Sequence, residues 1–371
     1  MKLTATSRWF KLDWGIIITC IILITISLAT LYSLELNQEN PNFSFLNRQM
    51  ISAAIGVLCF FILLRIDYRY FKDYTVAIYA GGILLLIAVI FFGVEIRGTK
   101  GWIDIAGITI QPVEFLKIAL ILALARFFSQ QNTYKQWWII GGSLSIALIS
   151  SVLVLLQPDL GSMAVLMAIW FGMLFVKKVR FFYLVLILLF GLLIAGFSWH
   201  YFLKPYQKER IAIFLDPGAD QSSAGYNVRQ SKIAVGSGRL WGRGLGLGTQ
   251  STLKFLPAQE TDFIFAVISE SLGFLGGMLI IALYSILLWR VLNLSMEIQD
   301  EFGTLFGVGL FFWFGFQGFA NIAMNIGIAP VFGVPIPFLS YGGSSLLASM
   351  FAIGILESVS LYSRREAKLH F

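Results

Sequence analysis

From Trp14 to Tyr32, from Thr75 to Phe92 and from Phe181 to Ser198 the sequence runs for at least 18 residues without a charged side chain. A helix at a water-facing surface needs a polar stripe, and these runs have none. Their length matches the roughly 20 residues that cross a hydrocarbon layer about 30 Å thick. The rest of the chain agrees. Of 371 residues 58% are hydrophobic and only 13% charged, against roughly 25% charged in soluble domains. The chain therefore reads as an all-α polytopic membrane protein.

Ten runs are long enough, at about 14–34, 49–64, 74–94, 112–128, 137–156, 161–176, 181–200, 263–289, 302–325 and 343–362. Ten crossings put both termini on one side. With the N-terminus inside, the inner segments hold 15 Lys and Arg and the short outer segments three (Arg48, Arg97, Lys100). The positive-inside rule then predicts cytoplasmic termini. It also predicts a long extracytoplasmic loop, about 201–262, between the seventh and eighth spans. The first run has no small-residue cleavage site after it, so it reads as a span rather than a cleaved signal. No repeat or linker divides the chain, and 1–371 reads as one integral membrane domain.

Composition also excludes functions. The net charge of +7 belongs to residues that bracket apolar runs, which points to orientation and lipid contact and not to nucleic acid. Two Cys (Cys20, Cys59) and two His (His200, His370) are too few and too scattered for a disulfide framework or a zinc site. With no His near Ser340, Ser344 or Ser345, a Ser-His-Asp hydrolase is excluded as well.

Segment 201–262 carries eight Lys/Arg against five Asp/Glu, and eight glycines. Its alternating glycines (Gly242, Gly244, Gly246, Gly248) match neither a dinucleotide fingerprint nor a P-loop. They do allow close backbone approach to a ligand, or a positive φ. Apolar pieces at Ile211–Leu215 and Ile233–Val235 are expected on the bilayer surface. A basic, glycine-rich, half-immersed loop suits an anionic lipid headgroup, with Arg210, Arg229, Lys232 and Arg243 as its candidate contacts. Asp262 closes the loop at the membrane boundary. It reads either as a cap on the next helix or as a general base. Glu114 and Lys117 stand three apart within the fourth span, where they neutralise each other on one face, as a structural pair or as the wall of a polar cavity. Asp159 follows Gln157-Pro158, as an Asx-turn or a site residue. Arg97 and Lys100 add positive charge on the same outer side. The Pro- and Gly-broken segment 325–347 is tolerated at membrane depth only against protein or water, so it reads as a re-entrant element lining a site, with Ser340 and Ser344 offering hydroxyls.

Five stretches in order, QPVEFLKIA (111–119), QPDLGS (157–162), GYNVRQSKIAVGSG (225–238), FLPAQETDFIFAVISESLG (255–273) and PVFGVPIPFLSYGGSS (330–345), resemble the signatures of the SEDS proteins (shape, elongation, division and sporulation). Within that family GTQSTLKFLP and the short N-terminal tail resemble the RodA-like elongation branch more than the FtsW-like division branch. The resemblance implies a peptidoglycan glycosyltransferase of the bacterial cytoplasmic membrane that polymerises lipid II on the outer face. It makes Asp262 the catalytic carboxylate, and gives Glu114, Lys117 and Asp159 as further important positions. Where the family often has Glu-x-His before Thr-Asp, this chain has Ala258-Gln259-Glu260, which puts a second carboxylate near Asp262 and leaves no role for a histidine there. The implied partners are the growing lipid-linked glycan, a class B penicillin-binding protein that cross-links it, and other membrane proteins of the elongation complex. No cofactor is required by the sequence. A divalent cation, Mg²⁺ or Mn²⁺, is compatible with a pyrophosphate leaving group, although no metal-ligand spacing calls for one. From the residues alone, two other readings stay open: a flippase or transporter of a lipid-linked precursor, and a noncatalytic scaffold for wall synthesis.

Overall fold

An apolar segment out of reach of water must bond its own N–H and C=O groups, and the helix does this within one stretch of chain. In the computed structural model all ten apolar runs are helical. The structure describes residues 12–36, 41–96, 98–105, 107–130, 135–201, 208, 214, 224–253 and 255–367. The elements in chain order are α1 (Trp14–Leu36), α2 (Ser44–Leu63), the short α3 (Tyr68–Asp73), α4 (Thr75–Phe92), strands β1 (Val94–Ile96), β2 (Thr99–Ile105) and β3 (Ile108–Ile110), then α5 (Pro112–Ser129), α6 (Gln136–Leu156), α7 (Leu160–Val176) and α8 (Phe181–Tyr201). They continue with α9 (Ala224–Ser237), α10 (Thr249–Thr252), α11 (Ile264–Glu297), α12 (Glu301–Ile326) and α13 (Gly343–Ala367).

Eight of these helices are long and apolar enough to cross a membrane. Of the other two expected spans, α7 is apolar but has 17 residues, and α5 carries Glu114, Lys117 and Arg126 in its 18. α11 runs eight residues past the expected end at 289, because Val291, Leu294 and Ser295 go on burying one face. The departure from an all-α fold is a three-stranded antiparallel meander, β1-β2-β3, paired Val94 with Trp102 and Asp104 with Thr109. Gly98 and Gly107 supply the positive φ that its two-residue turns require.

α12 is the centre of the bundle: α5, α7, α9, α11 and α13 all pack on it. Phe302, Phe306, Leu310, Trp313 and Phe314 on α12 are fully buried. α8 lies at the periphery with Phe181, Phe182, Phe190, Leu192 and Leu193 exposed, a surface suited to lipid chains. The expected surface-lying piece Ile233–Val235 belongs to α9, where Ile233 is exposed and Ala234 docks on protein. Ala234 and Ser231 are fully buried where α9 meets α11 and α12. Most of Ile211–Leu215 lies outside the described residues.

Candidate functional site

The residues from Leu256 to Phe263 form a run of turns ahead of α11. Three successive N–H groups, of Thr261, Asp262 and Phe263, donate to the carbonyl of Ala258 at 3.1, 3.1 and 3.3 Å. Three successive carbonyls point the other way and are also taken. Glu260 O accepts from Tyr341 N at 2.9 Å, Thr261 O from Ser340 Oγ at 2.7 Å, and Asp262 O from Asn321 Nδ2 and Asn325 Nδ2, both at 3.0 Å. The backbone of Asp262 is therefore tied on both sides while the residue stays half-buried. A backbone so held presents its carboxylate from a fixed base.

The first turn of α11 is capped from α12. Phe263 occupies the N-cap of α11 without a side-chain cap bond, and the unpaired N–H of Ala266 is taken by Asn325 Oδ1 at 3.1 Å. Asn325 sits one turn beyond Asn321 on α12, and both are fully buried. Neither position was picked out from sequence. The available signal was an amide at every fourth position, Gln317, Asn321 and Asn325, on one face of an otherwise apolar helix.

The broken segment between α12 and α13 is nonhelical and largely buried, from Val334 to Ser340, and its polar groups are met by protein. Asn321 Nδ2 donates to Val334 O at 2.7 Å. Ile336 N donates to Ser340 Oγ at 3.0 Å. The buried Gln49 of α2 clamps the next turn, with Nε2 to Ser340 O at 3.3 Å and Oε1 receiving Gly342 N at 3.2 Å. Ser344 Oγ accepts from Gln111 N at 3.0 Å, joining α13 to the start of α5. Ser340 thus braces the loop that carries Asp262, while Ser344 braces the start of α5.

Glu114 and Lys117 form a bonded pair at 2.7 Å with side chains 1% and 0% exposed. The Lys117 ammonium lies 5.5 Å from the centroid of the Trp313 ring on α12, and Trp313 Nε1 donates to Gln317 Oε1. Trp313, Gln317, Asn321 and Asn325 follow at four-residue steps, so the pair meets this face roughly 12 Å along the helix from Asn321. Glu114 Oε2 and Gln317 Nε2, an acceptor and a donor, are buried without a hydrogen-bond partner among the described residues. One helix face thus runs from the ion pair to the carbonyl of Asp262.

The other candidates are placed differently. Asp159 caps α7: Oδ1 accepts Ser162 N at 2.8 Å and Oδ2 accepts Ser162 Oγ at 2.7 Å. Lys100 Nζ donates to Ile90 O at 2.9 Å, near the C-terminal end of α4. Arg243 bonds its own loop, through Ser237 O and Thr249 Oγ1 at 3.2 Å each. Arg229 and Lys232 are exposed on α9. Arg97 and Arg210 lie outside the described residues. Gly242, Gly244 and Gly246 take positive φ, and the surface that Gly242 and Gly248 closely approach is α11. Gly273 interrupts α11 at φ 71°, ψ −164°, and a Cβ there would lie 2.3 Å from Gly242 N. At that break Arg243 N and Gly244 N donate to Glu270 O and Ser271 O at 3.0 and 2.9 Å. The fully buried Glu270 accepts Gln250 N and Ser251 N at 2.8 and 3.1 Å, fixing α10 as well. Among the described residues no three His, Cys, Asp or Glu side chains gather as a metal cage.

The family model for FtsW, RodA and SpoVE, described as cell cycle proteins, matches residues 10–365. Stage V sporulation protein E of Bacillus subtilis is 36% identical over 97% of this chain and 100% of its own length. The peptidoglycan glycosyltransferase MrdB of Escherichia coli is 34% identical over 97% of each chain. Among solved structures, a chain of a peptidoglycan synthase complex that coordinates polymerization and crosslinking superposes with TM-score 0.81 at 29% identity, over 94% of this chain and 97% of that one. The rod shape determining protein RodA of Thermus thermophilus gives 0.72 at 26% identity, over 96% and 98%.

Proposed function

The chain belongs to the FtsW/RodA/SpoVE family, the SEDS proteins, and from that premise we propose that Asp262 is the general base of its glycosyl transfer. The chain is a multi-pass protein of the bacterial cytoplasmic membrane and a peptidoglycan glycosyltransferase that polymerises glycan in cell elongation. The observation behind the base assignment is the fixed backbone of Asp262, whose N–H and C=O are both bonded, beside a helix start whose Ala266 N–H is met by Asn325.

The donor is the growing glycan on its lipid pyrophosphate, and the acceptor is the 4-hydroxyl of a lipid II GlcNAc. The Asp262 carboxylate takes the hydroxyl proton as the oxygen attacks the MurNAc anomeric carbon and pyrophosphate departs. Charge builds on that leaving group, and cationic side chains offset it. Arg229 and Lys232, exposed on α9, are the described basic residues best suited to it, with Arg97 and Arg210 as further candidates. Mg²⁺ is commonly held by one or two carboxylates together with substrate phosphates. Half-buried Glu260, two residues from Asp262, is the protein ligand such an ion would use, and the ion would add charge stabilisation to the departing group.

Asp262 belongs to the outer end of the bundle in this reading. Lys72–Asp300 at 3.0 Å and Arg290–Asp13 at 3.6 Å tie helix ends at the opposite one. The excess of Lys and Arg on that side argues that it is cytoplasmic, with both termini, and that segment 201–262 is extracytoplasmic within a single membrane domain. A class B penicillin-binding protein is the proposed cross-linking partner, in line with the synthase complex to which the chain is similar.

The test uses purified protein with its class B partner and fluorescent lipid II, comparing wild type with Asp262→Asn. Polymer from wild type and none from a folded, partner-bound variant is expected. Polymer from both would end the base assignment, and lipid II crossing a bilayer without polymerisation would make the protein a transporter.

A further inference from the structure

We infer that Asn321 and Asn325 of α12 are positioning residues for the Asp262 carboxylate, an inference that rests on reading Asp262 as the base. The two amides join four separate pieces of the site. Asn321 Nδ2 reaches Asp262 O at 3.0 Å and Val334 O at 2.7 Å. Asn325 Nδ2 reaches Asp262 O at 3.0 Å and the Asn321 carbonyl and Oδ1 at 2.8 and 3.0 Å. Asn325 Oδ1 accepts from Ala266 N at 3.1 Å and Ser231 Oγ at 3.3 Å.

Buried amides are ordinarily bonded to something, and holding helices together accounts for most such networks. Two features set this one apart. Both donors converge on one carbonyl, that of the residue whose side chain is to take the proton. And Asn325 bonds the helix N-terminus that an aspartate at this boundary would ordinarily cap. The bonds fix where the Cα of Asp262 sits relative to α12, and hence where its carboxylate meets the acceptor hydroxyl. Proton transfer is sensitive to that placement: a displacement near 1 Å costs on the order of 100-fold in rate.

Asn325→Asp separates the two jobs. It keeps an oxygen for Ala266 N and Ser231 Oγ, and places negative charge at a helix N-terminus, where it is favourable. It removes the donors to Asp262 O and to Asn321 O and Oδ1, so it costs some stability. Asn321→Leu is the second variant, with the same branching and no donor. With lipid II as substrate and the class B partner present, and at a temperature well below each variant's melting transition, each is expected to lower kcat of the folded protein by roughly 10- to 100-fold while KM stays within about 3-fold. An unchanged kcat in folded protein overturns the inference. So does a rise in KM that parallels the fall in kcat, or loss of folded protein in both variants, because the pair is then only a support. Asp262→Asn is run beside them. If it is inactive and the asparagine variants are fully active, the inference alone fails; if it is active, the base assignment fails first.

Discussion

The buried pair Glu114–Lys117 allows a quantitative test. At 2.7 Å and an effective dielectric near 20, the Coulomb attraction is about 6 kcal/mol. Burial offsets most of it, because each ion loses several kcal/mol of hydration. The asymmetry is what can be measured. Lys117→Met leaves a carboxylate 1% exposed whose second oxygen already lacks a partner among the described residues. Such a change costs about 3–5 kcal/mol. Glu114→Leu strands the ammonium against Trp313 at a similar cost. The double variant removes both charges and is expected near wild-type stability, since apolar replacement of a buried pair is often neutral. A double-mutant cycle on reversible denaturant unfolding in detergent should give a coupling of at least about 3 kcal/mol. Single variants within 1 kcal/mol of wild type, or a double variant as unstable as the sum of the singles, would refute the reasoning. Glycan assays on the folded double variant then show whether the polar face along α12 serves the reaction or only the fold.

Three further outcomes are expected. Asp159→Asn should retain polymerising activity and lose no more than about 1 kcal/mol, as for a helix cap; an inactive variant of unchanged stability would mean its carboxylate acts on substrate. Gly273→Ala should destroy the monodisperse fraction in size-exclusion chromatography, since its Cβ would meet Gly242 N at 2.3 Å and its φ of 71° suits glycine; wild-type behaviour would show that the loop can move off α11. Glu270→Gln replaces one acceptor facing Gln250 N or Ser251 N by a donor, at about 1.5–3 kcal/mol. Limited trypsin cleavage at Arg239 or Arg243 should quicken by roughly 10- to 100-fold, and an unchanged rate would detach Glu270 from the loop's stability.

The spans were legible because hydrophobic run length is a direct physical demand of the bilayer, and the signal weakens where a helix is short, as in α7, or carries charge, as in α5. The meander was hidden because neither Gly98 nor Gly107 follows an Asn or Asp in the sequence, so the Asn-Gly or Asp-Gly signal is missing. The value of Asp262 came from motif resemblance, and its surroundings could not be read ahead. Asn321 and Asn325 lie 59 and 63 residues from it in sequence, and an amide inside an apolar helix announces polarity without naming its partner. The loop glycines left ligand approach and positive φ both open, because a positive φ, a nearby substrate and a nearby helix of the same chain all leave the same residue in the sequence.

Nonhelical backbone at this depth has to be satisfied by protein, and on the proposed assignment the bonds that do so would also place the base. Thr261 O and Asp262 O are met by Ser340, Asn321 and Asn325. Ser340 is in turn held by Gln49, and Asn321 holds Val334. No one of these bonds belongs to stability alone or to catalysis alone. Alanine at any of them would remove an acceptor or donor from buried backbone and lower stability by about 1–3 kcal/mol, so lost activity would be uninformative. Substitutions that keep the acceptor and remove only the donor, assayed on folded protein, are the ones that separate the two roles. Asn325→Asp does this at the residue that both touches Asp262 and caps α11: if the folded variant keeps its KM while kcat falls, the placement of the carboxylate, rather than the integrity of the bundle, limits the rate.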